Sequence, residues 1–262
     1  MMHRLDGKRA LVCGSSQGIG RACAVELAAL GAEVTLMARD EVALRDVLSH
    51  LNAEGGRRHQ CVVADFADPG ELRSKTTAHV AATGPIQILI NNTGGPHSGA
   101  MIDSSPQEFL SAFSNHVVCN QLLVQTLLPG MKRSGYGRIV NIISTSVIQP
   151  IKGLGVSNTT RGAVANWGRS MAAELAPLGI TVNNVLPGYT ATARLTTLLQ
   201  SKADKAGVPL AEVEDQIRQA IPIGRFAEPG EIAAVVGFLA GPAASYVTGV
   251  NLPVDGGRTA AQ

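Results

Sequence analysis

The sequence is poor in charged and in aromatic side chains. Of its 262 residues, 16% are Asp, Glu, Lys or Arg and 3% are Phe, Tyr or Trp, whereas charged residues average about 25% in soluble domains. Disordered chains combine high charge with few apolar residues, so a chain that is 45% hydrophobic is expected to fold. The 29 glycines keep no three-residue period, which excludes a collagen-like protein. The composition predicts a large buried fraction, and the length fits one large α/β domain or two small ones.

The chain also lacks an excess of either charge. Its 22 basic and 20 acidic residues leave a net charge of +2, far from the strongly basic surface that nucleic-acid-binding proteins present. We therefore expect a small-molecule partner and no nucleic acid.

Cysteine is scarce, and no two cysteines form a Cys-x-x-Cys pair. The four are Cys13, Cys23, Cys61 and Cys119. All lie inside apolar segments, which is typical of reduced, buried thiols in a cytoplasmic protein and not of a disulfide framework or a metal site. The chain starts with polar residues, and the apolar run Ala10–Cys13 is far too short for the hydrophobic region of a signal sequence. The prediction is a cytoplasmic protein without a bound metal.

Charged residues are absent from two stretches of membrane-spanning length, Phe109–Met131 and Ile232–Val254. Neither stretch is continuously apolar, since the first contains His116 and Asn120 and the second contains Asn251. The core of a bilayer tolerates such polar interruptions poorly. We interpret both stretches as buried protein and expect no membrane insertion.

Short apolar, β-branched runs alternate with longer helical patterns along almost the whole chain. The predicted strands are Ala10–Cys13, Val34–Ala38, Cys61–Ala64, Ile86–Ile90, Arg138–Ile143, Thr181–Leu186 and Gly249–Val254. The predicted helices are Ile19–Leu30, Glu41–Asn52, Pro69–Ala82, Pro106–Lys132, Ser157–Ala176 and Glu228–Leu239. This alternation is typical of βαβ units. It predicts one α/β domain over residues 1–262, a Rossmann-like, doubly wound parallel sheet of about seven strands with helices on both faces.

One segment interrupts the alternation, a polar and helix-prone insertion at about residues 190–223. It contains two short helical patterns, Leu195–Leu199 and Leu210–Ala220. An insertion after the carboxyl end of a strand lies where such folds bind ligands, so a substrate lid is one interpretation. A surface helical hairpin is the other.

The first predicted strand runs into the glycine-rich segment Gly14-Ser15-Ser16-Gln17-Gly18-Ile19-Gly20 and then into a helix. Glycines at such a turn let the backbone approach a pyrophosphate, and the free N–H groups of the helix N-terminus bind its oxygens. The spacing is G-x-x-x-G-x-G and not the G-x-G-x-x-G of the common dinucleotide fingerprint.

Three further motifs follow in order. Asn91-Asn92-Thr93-Gly94 comes after the fourth strand, Pro187-Gly188 ends the sixth, and Val254-Asp255-Gly256-Gly257 closes the last, with Asn141 inside the fifth. With the glycine-rich segment, they make the chain resemble the short-chain dehydrogenase/reductase family over nearly its whole length, and most closely its 3-oxoacyl-acyl-carrier-protein-reductase-like members. The resemblance implies a nicotinamide dinucleotide across the carboxyl ends of the strands. The implied cofactor-binding residues are Gly14, Ser16, Gln17, Gly18, Ile19, Gly20, Arg39, Asp65, Phe66, Asn92, Gly94, Arg161, Pro187, Gly188 and Thr192.

The end of the second strand bears on which dinucleotide binds. Where an acid would hold a ribose 2′-hydroxyl the family register places Ala38, and Arg39 follows it. Arginine suits a 2′-phosphate, so NADP(H) is favoured and NAD(H) is the alternative. The competing interpretation makes Arg39 a solvated side chain and Asp40 a helix N-cap or a displaced ribose acid.

The positions that carry catalysis in the family depart from its pattern. The family reduces carbonyls with a Tyr, a Lys four residues later, a Ser about thirteen residues before the Tyr, and an Asn on the preceding helix. Here Ser144 keeps the Ser position, whereas Ser157 occupies the Tyr position, Arg161 the Lys position and His116 the Asn position. None of the three tyrosines is followed by a lysine four residues later.

These replacements change the available chemistry. An aliphatic hydroxyl is a far weaker acid than a phenol, so Ser157 is a poor general acid, and the guanidinium of Arg161 cannot pass on a proton. Arg161 is expected to bind ribose hydroxyls, and Ser144 to donate to a carbonyl or oxyanion. His116 is the candidate replacement acid, or else a helix histidine with a backbone or water partner. Tyr189 is a second candidate donor, or else packs against the cofactor.

Two hypotheses about function follow. The first is an NADP(H)-dependent oxidoreductase that reduces a ketone, 3-oxoacyl-like or another small carbonyl, or oxidises a secondary alcohol, with a non-standard proton donor. The second is a catalytically inactive dinucleotide-binding sensor or pseudoenzyme subunit, because function resides in the site and not in the fold. The resemblance also implies a homotetramer or homodimer, in which the two charge-free stretches form apolar subunit interfaces.

Overall fold

A computed structural model describes residues 4–51 and 56–260. Its strands are β1 (Arg9–Cys13), β2 (Glu33–Ala38), β3 (Gln60–Val63), β4 (Ile88–Asn91), β5 (Gly137–Ile142), β6 (Ile180–Pro187) and β7 (Asn251–Val254). They form one sheet in the order β3-β2-β1-β4-β5-β6-β7, and every neighbouring pair is parallel. The predicted fold class is confirmed. The strand order reverses between β1 and β4, the position at which doubly wound sheets open a crevice for ligands.

Nine α-helices in the described chain connect or flank these strands. They are α1 (Gly18–Ala29), α2 (Glu41–Ser49), α3 (Pro69–Thr83), α4 (Pro106–Phe113), α5 (Cys119–Ser134), α6 (Gly155–Leu175), α7 (Ala193–Ala206), α8 (Leu210–Gln219) and α9 (Pro229–Ala240). Local sequence sets several of their starts: Asp40, Asp68 and Thr192 accept hydrogen bonds from backbone N–H groups of α2, α3 and α7. Ser105 forms a reciprocal capping box with Glu108 at α4.

Both faces of the sheet are covered. Val12 and Leu36 point to the face on which α1, α2 and α9 pack, and their neighbours Leu11 and Met37 point to the face covered by α3, α5 and α6. All four side chains are fully buried. A sheet buried on both faces needs apolar residues at successive positions, which explains why its strands read as continuous apolar runs.

The predicted helix Pro106–Lys132 contains a feature that its pattern did not predict. Residues Ser114–Val118 form a wide π turn between α4 and α5, and the helical course continues through it. A π turn inserts one extra residue and is common at functional sites. His116 lies in this turn.

The other differences concern boundaries. Strand β7 begins at Asn251 and not at Gly249, because Gly249 has a φ of +76°, outside the strand region. The helix predicted as Glu41–Asn52 is observed to Ser49, and Asn52 lies outside the described residues. Within the described chain, no helix combines the length and the apolar character needed to cross a membrane.

A row of asparagines crosses the carboxyl half of the sheet. Asn91, Asn141, Asn184 and Asn251 are register partners on β4, β5, β6 and β7. Each of the first three is joined to the next by an amide–amide hydrogen bond of 2.8 Å. We call this row the asparagine ladder. Its buried bonds satisfy groups that would otherwise destabilise the core.

Candidate active site

The glycine-rich segment forms a cradle between β1 and α1. Gly14 and Gly18 have φ values of +58° and +56°, a backbone conformation that residues with a side chain rarely adopt. A methyl group at Gly20 would lie 2.1 Å from the carbonyl oxygen of Gly14, so only glycine fits there. The side chain of Gln17, the N-cap residue, does not cap α1, and the first turn of this helix has no acidic residue. The N-terminus of α1 therefore offers free N–H groups to an anion, as a pyrophosphate requires.

Arg39 and Asp40, the two residues after β2, differ in the contacts that they make. Asp40 accepts a hydrogen bond of 3.0 Å from the backbone N–H of Ala43 and is the N-cap of α2. Arg39 is exposed and forms no ion pair within the described chain. The carboxylate is thus occupied locally, while the guanidinium remains available to a ligand.

Asn92, after β4, borders the same cradle, and Asp65 and Phe66 follow β3. The Asn92 side chain donates to the carbonyl oxygens of Cys13 and Gly14, at 3.3 and 3.2 Å, and so links the strand end to the glycine turn. Asp65 accepts a hydrogen bond from the N–H of Ala67, and Phe66 is buried. These contacts hold the backbone at two of the segments that carry implied cofactor-binding residues.

Strand β6 supplies the third side of the cradle. Pro187 ends the strand, and a methyl group at Gly188 would lie 2.7 Å from the Cα of Asp255, which requires glycine. Thr192 caps α7, and its methyl group would lie 3.3 Å from a side-chain carbon at Gly18. The cofactor residues predicted from three distant segments therefore meet at one place.

Ser144, Ser157 and Arg161 lie where β5 and α6 meet. The Ser144 hydroxyl oxygen accepts the N–H of Ser146 at 3.1 Å, which leaves its own proton free to donate. Arg161 is only 9% exposed and donates to the carbonyl oxygen of Ile142, the last residue of β5, at 2.9 Å. Burial and the nearby Arg194 lower the pKa of Arg161 to about 10, so it stays cationic at neutral pH. Ser157 is buried one turn before Arg161 on α6.

His116 enters the site from the π turn and is 4% exposed. Burial, together with the positive charges of Arg161 and Arg194, lowers the pKa of His116 to about 3, while a hydrogen bond to the Gly94 backbone acts in the opposite direction. The imidazole is therefore neutral at neutral pH. A neutral imidazole is a much weaker proton donor than an imidazolium, so the hypothesis of His116 as general acid gains no support.

A small cavity lies behind these residues. It measures about 10 Å³, close to the smallest volume that holds one water, and is lined by polar groups that include His116, Asn120 and Arg161. Asn91 also lines it, and the Asn91 side-chain oxygen has no hydrogen-bond partner in the described chain.

Sequence reasoning missed Arg194. This residue, in the first turn of α7, is accessible to solvent and donates to the carbonyl oxygens of Gly95 and Pro96 at 3.2 and 3.3 Å. A side-chain carbon at Gly95 would lie 2.6 Å from one Arg194 nitrogen and 3.3 Å from one Arg161 nitrogen. The two guanidinium groups therefore approach one point. The sequence does place an arginine two residues after Thr192, in a first turn of α7 that has no acidic residue to pair with it, and this pattern could have indicated a cation near the site.

Tyr189 lies at the edge of the site. Its ring is 6.3 Å from that of Phe226 and packs with the buried residues of α7 and α8, including Leu195. The guanidinium of Arg258 lies 5.2 Å from the ring centre on another side. These contacts are all with protein side chains, and no hydrogen bond joins Tyr189 to Ser144 or Arg161 in the described part of the chain.

Comparison with known proteins defines the class. The family model described as enoyl-(acyl carrier protein) reductase matches residues 14–259. A chloroplastic tropinone reductase homolog of Arabidopsis thaliana is 36% identical over 257 residues, covering 97% of this chain and 76% of that protein. The 3-oxoacyl-[acyl-carrier-protein] reductase of Vibrio cholerae is 32% identical, covering 97% and 98%. L-sorbose reductase from Gluconobacter frateurii, solved with NADPH and L-sorbose, is 28% identical with a TM-score of 0.92, and 99% of each chain is covered.

The chain belongs to the short-chain dehydrogenase/reductase family. Its relatives are ketoreductase-like oxidoreductases, and the resemblance inferred from the glycine-rich segment and its companion motifs is confirmed. This is a family of nicotinamide-dependent oxidoreductases that act on carbonyl or alcohol groups.

Proposed function

We propose that the protein is an NADP(H)-dependent carbonyl reductase in which positive charge replaces the family's phenolic acid. The observation that carries this proposal is the buried cation Arg161, which donates to the carbonyl oxygen of Ile142, two residues before Ser144 at the carboxyl end of β5. The bound cofactor would supply the hydride. Ser144 would donate a hydrogen bond to the carbonyl oxygen, and Arg161 would stabilise the negative charge that develops there.

NADP(H) rather than NAD(H) is proposed on two grounds. Within residues 4–51 and 56–260 Arg39 forms no ion pair at the tip of β2, and Asp40, the carboxylate that follows it, caps α2. The sorbose reductase described above was solved with NADPH.

The final proton is proposed to come from solvent. Neutral His116 would hold a water or the substrate by hydrogen bonding and would not act as a cationic acid. Ser157 would contact the substrate, and Tyr189 would shape the site by packing.

Helices α7 and α8 are proposed to form a lid over the substrate, because Arg194 of α7 donates hydrogen bonds to the loop after β4.

The test is a cofactor titration followed by turnover. NADPH and NADH affinities would be measured by fluorescence, and loss of NADPH absorbance would be followed with a panel of ketones. Ser144→Ala should lower the rate at least about tenfold without changing NADPH affinity, whereas Ser146→Ala, the control, should not. Equal rates for Ser144→Ala and wild type would contradict the assigned role of Ser144.

A dinucleotide sensor or pseudoenzyme subunit is the second candidate function. It is favoured by the loss of the family's Tyr and Lys at Ser157 and Arg161, with the cofactor cradle intact. Tight NADPH binding without consumption by any ketone or alcohol would support it.

We also propose a homotetramer or homodimer. The charge-free stretch Phe109–Met131 leaves the apolar side chains Leu110, Phe113 and Val118 exposed, and a subunit interface would cover them. Light scattering tests this, and a monomer at micromolar concentration would contradict it.

The buried thiols, such as Cys23 and Cys119, whose pKa values burial raises to about 12, fit a reducing compartment such as the cytoplasm.

A further inference from the structure

Three cations border the proposed substrate position. Arg161 and Arg194 converge near Gly95, and Arg258 donates to Thr145, the residue after Ser144. Across residues 4–51 and 56–260, no Asp or Glu forms an ion pair with any of the three.

Most of the donor capacity of this cluster is unused. Each guanidinium carries five N–H donors. Within the described chain, Arg161 uses one terminal nitrogen and Arg194 uses two, all toward backbone carbonyl oxygens. Neutral carbonyls satisfy hydrogen bonds but do not neutralise charge. Burial lowers the pKa of both arginines, and no acidic side chain of the described residues acts in the opposite direction.

We infer that the substrate carries a carboxylate beside its reacting carbonyl, and that Arg194 binds this carboxylate with Arg161 behind it. This inference rests on the proposed function and narrows its substrate class to free oxo acids, or the corresponding hydroxy acids in the reverse direction. The planar guanidinium of Arg194 matches a carboxylate in a two-bond arrangement. Because Arg194 is accessible to solvent, a ligand can reach it. The buried charge of Arg161 adds to the positive electrostatic potential inside the site.

The cofactor phosphates are a competing source of negative charge. The glycine cradle and the N-terminus of α1 already provide a phosphate site. On α7 it is Thr192 that lies against Gly18 of the cradle, whereas Arg194 donates to Gly95 and Pro96 in the loop after β4. We therefore assign Arg194 to the substrate.

The experiment measures anion binding apart from turnover. Oxalate, and oxamide as its uncharged counterpart, would be titrated by calorimetry at constant ionic strength into the protein alone and with saturating NADP+. The proteins are wild type, Arg194→Gln, Arg194→Lys and, as control, Arg169→Gln at an exposed position of α6. We expect wild type to bind oxalate and not oxamide, Arg194→Gln to bind oxalate at least about tenfold more weakly, Arg194→Lys to recover part of the loss, and Arg169→Gln to match wild type.

Three results of the binding measurements would overturn the inference: no oxalate binding to wild type, equal oxalate affinity in wild type and Arg194→Gln, or a loss of NADPH affinity in Arg194→Gln as large as the loss for oxalate. Turnover separates this inference from the proposed function. Reduction of methyl acetoacetate as efficient as that of acetoacetate would refute the carboxylate and leave the reductase intact. Oxalate binding that depends on Arg194, in a protein that does not bind NADPH, would refute the reductase and leave the anion site intact.

Discussion

The neutrality of His116 makes a quantitative prediction about acid stability. Replacement by Asn, the residue that the family pattern places at this position, removes a group that ionises in the unfolded chain at its ordinary pKa of 6.5 but in the folded protein only near 3. Because the folded pKa is depressed, unfolded wild type binds a proton below pH 6.5 that the folded protein refuses. Wild type therefore loses stability relative to His116→Asn as the pH falls from 6.5 towards 3, and has no such deficit above pH 6.5.

The magnitude follows from 1.36 kcal/mol per pKa unit. Between pH 7.5 and pH 5.0 the free energy of unfolding of wild type should fall by about 2 kcal/mol more than that of His116→Asn. All other titrating groups are common to both proteins and cancel in the difference. Urea denaturation followed by circular dichroism at several pH values and one protein concentration measures this quantity.

The control is His97→Asn, in the exposed part of the loop after β4, whose stability should follow that of wild type over the same range. Parallel curves for wild type and His116→Asn would refute the reasoning, since they would mean that His116 ionises as readily in the folded as in the unfolded protein. The intrinsic effect of the substitution itself is independent of pH, so only the slope of the difference matters.

Three other predictions test the cradle and the ladder. Arg39→Ala should weaken NADPH binding at least about tenfold and leave NADH binding nearly unchanged, by fluorescence titration; equal effects would remove the argument for a 2′-phosphate. Gly20→Ala, which places a carbon 2.1 Å from the Gly14 oxygen, should lower both NADPH affinity and melting temperature, and an unchanged protein in both assays would show that the turn is adaptable. Asn141→Ala should lower the free energy of unfolding by about 2–4 kcal/mol, since it removes hydrogen-bond partners from Asn91 and Asn184. A loss below about 1 kcal/mol would mean that water replaces them.

The backbone-determined parts of this molecule could be predicted from its sequence. Glycines at positions 14, 18, 20 and 188 are required by positive φ angles or by close approaches of neighbouring atoms. Because only glycine meets these requirements, its positions along the chain form a motif that can be recognised in the sequence. The alternation of apolar runs and helical patterns fixed the elements for the same reason, because both faces of a parallel sheet must be buried. The sheet and the cofactor cradle therefore followed from local patterns.

The electrostatics of the site could not be predicted in this way. The pKa of His116 depends on guanidinium groups from α6 and α7, which reach the imidazole only in the folded chain. Arg194 bonds carbonyl groups 99 and 98 positions away, and no local pattern encodes that approach. The π turn that carries His116 adds one residue to a helical period and is invisible to a search for regular periodicity.

The asparagine ladder also constrains how the sheet can assemble. Side chains alternate between the two faces of a strand, so a slip of one residue at β5 or β7 would turn Asn141 or Asn251 to the opposite face and leave the neighbouring amides unpaired in the core. Asn251 and Asn91 are separated by most of the chain, yet they belong to the same row of hydrogen bonds. The ladder thus acts as a check on strand register that is complete only when β7 has docked, and it ties the last strand of the chain to the formation of the active site.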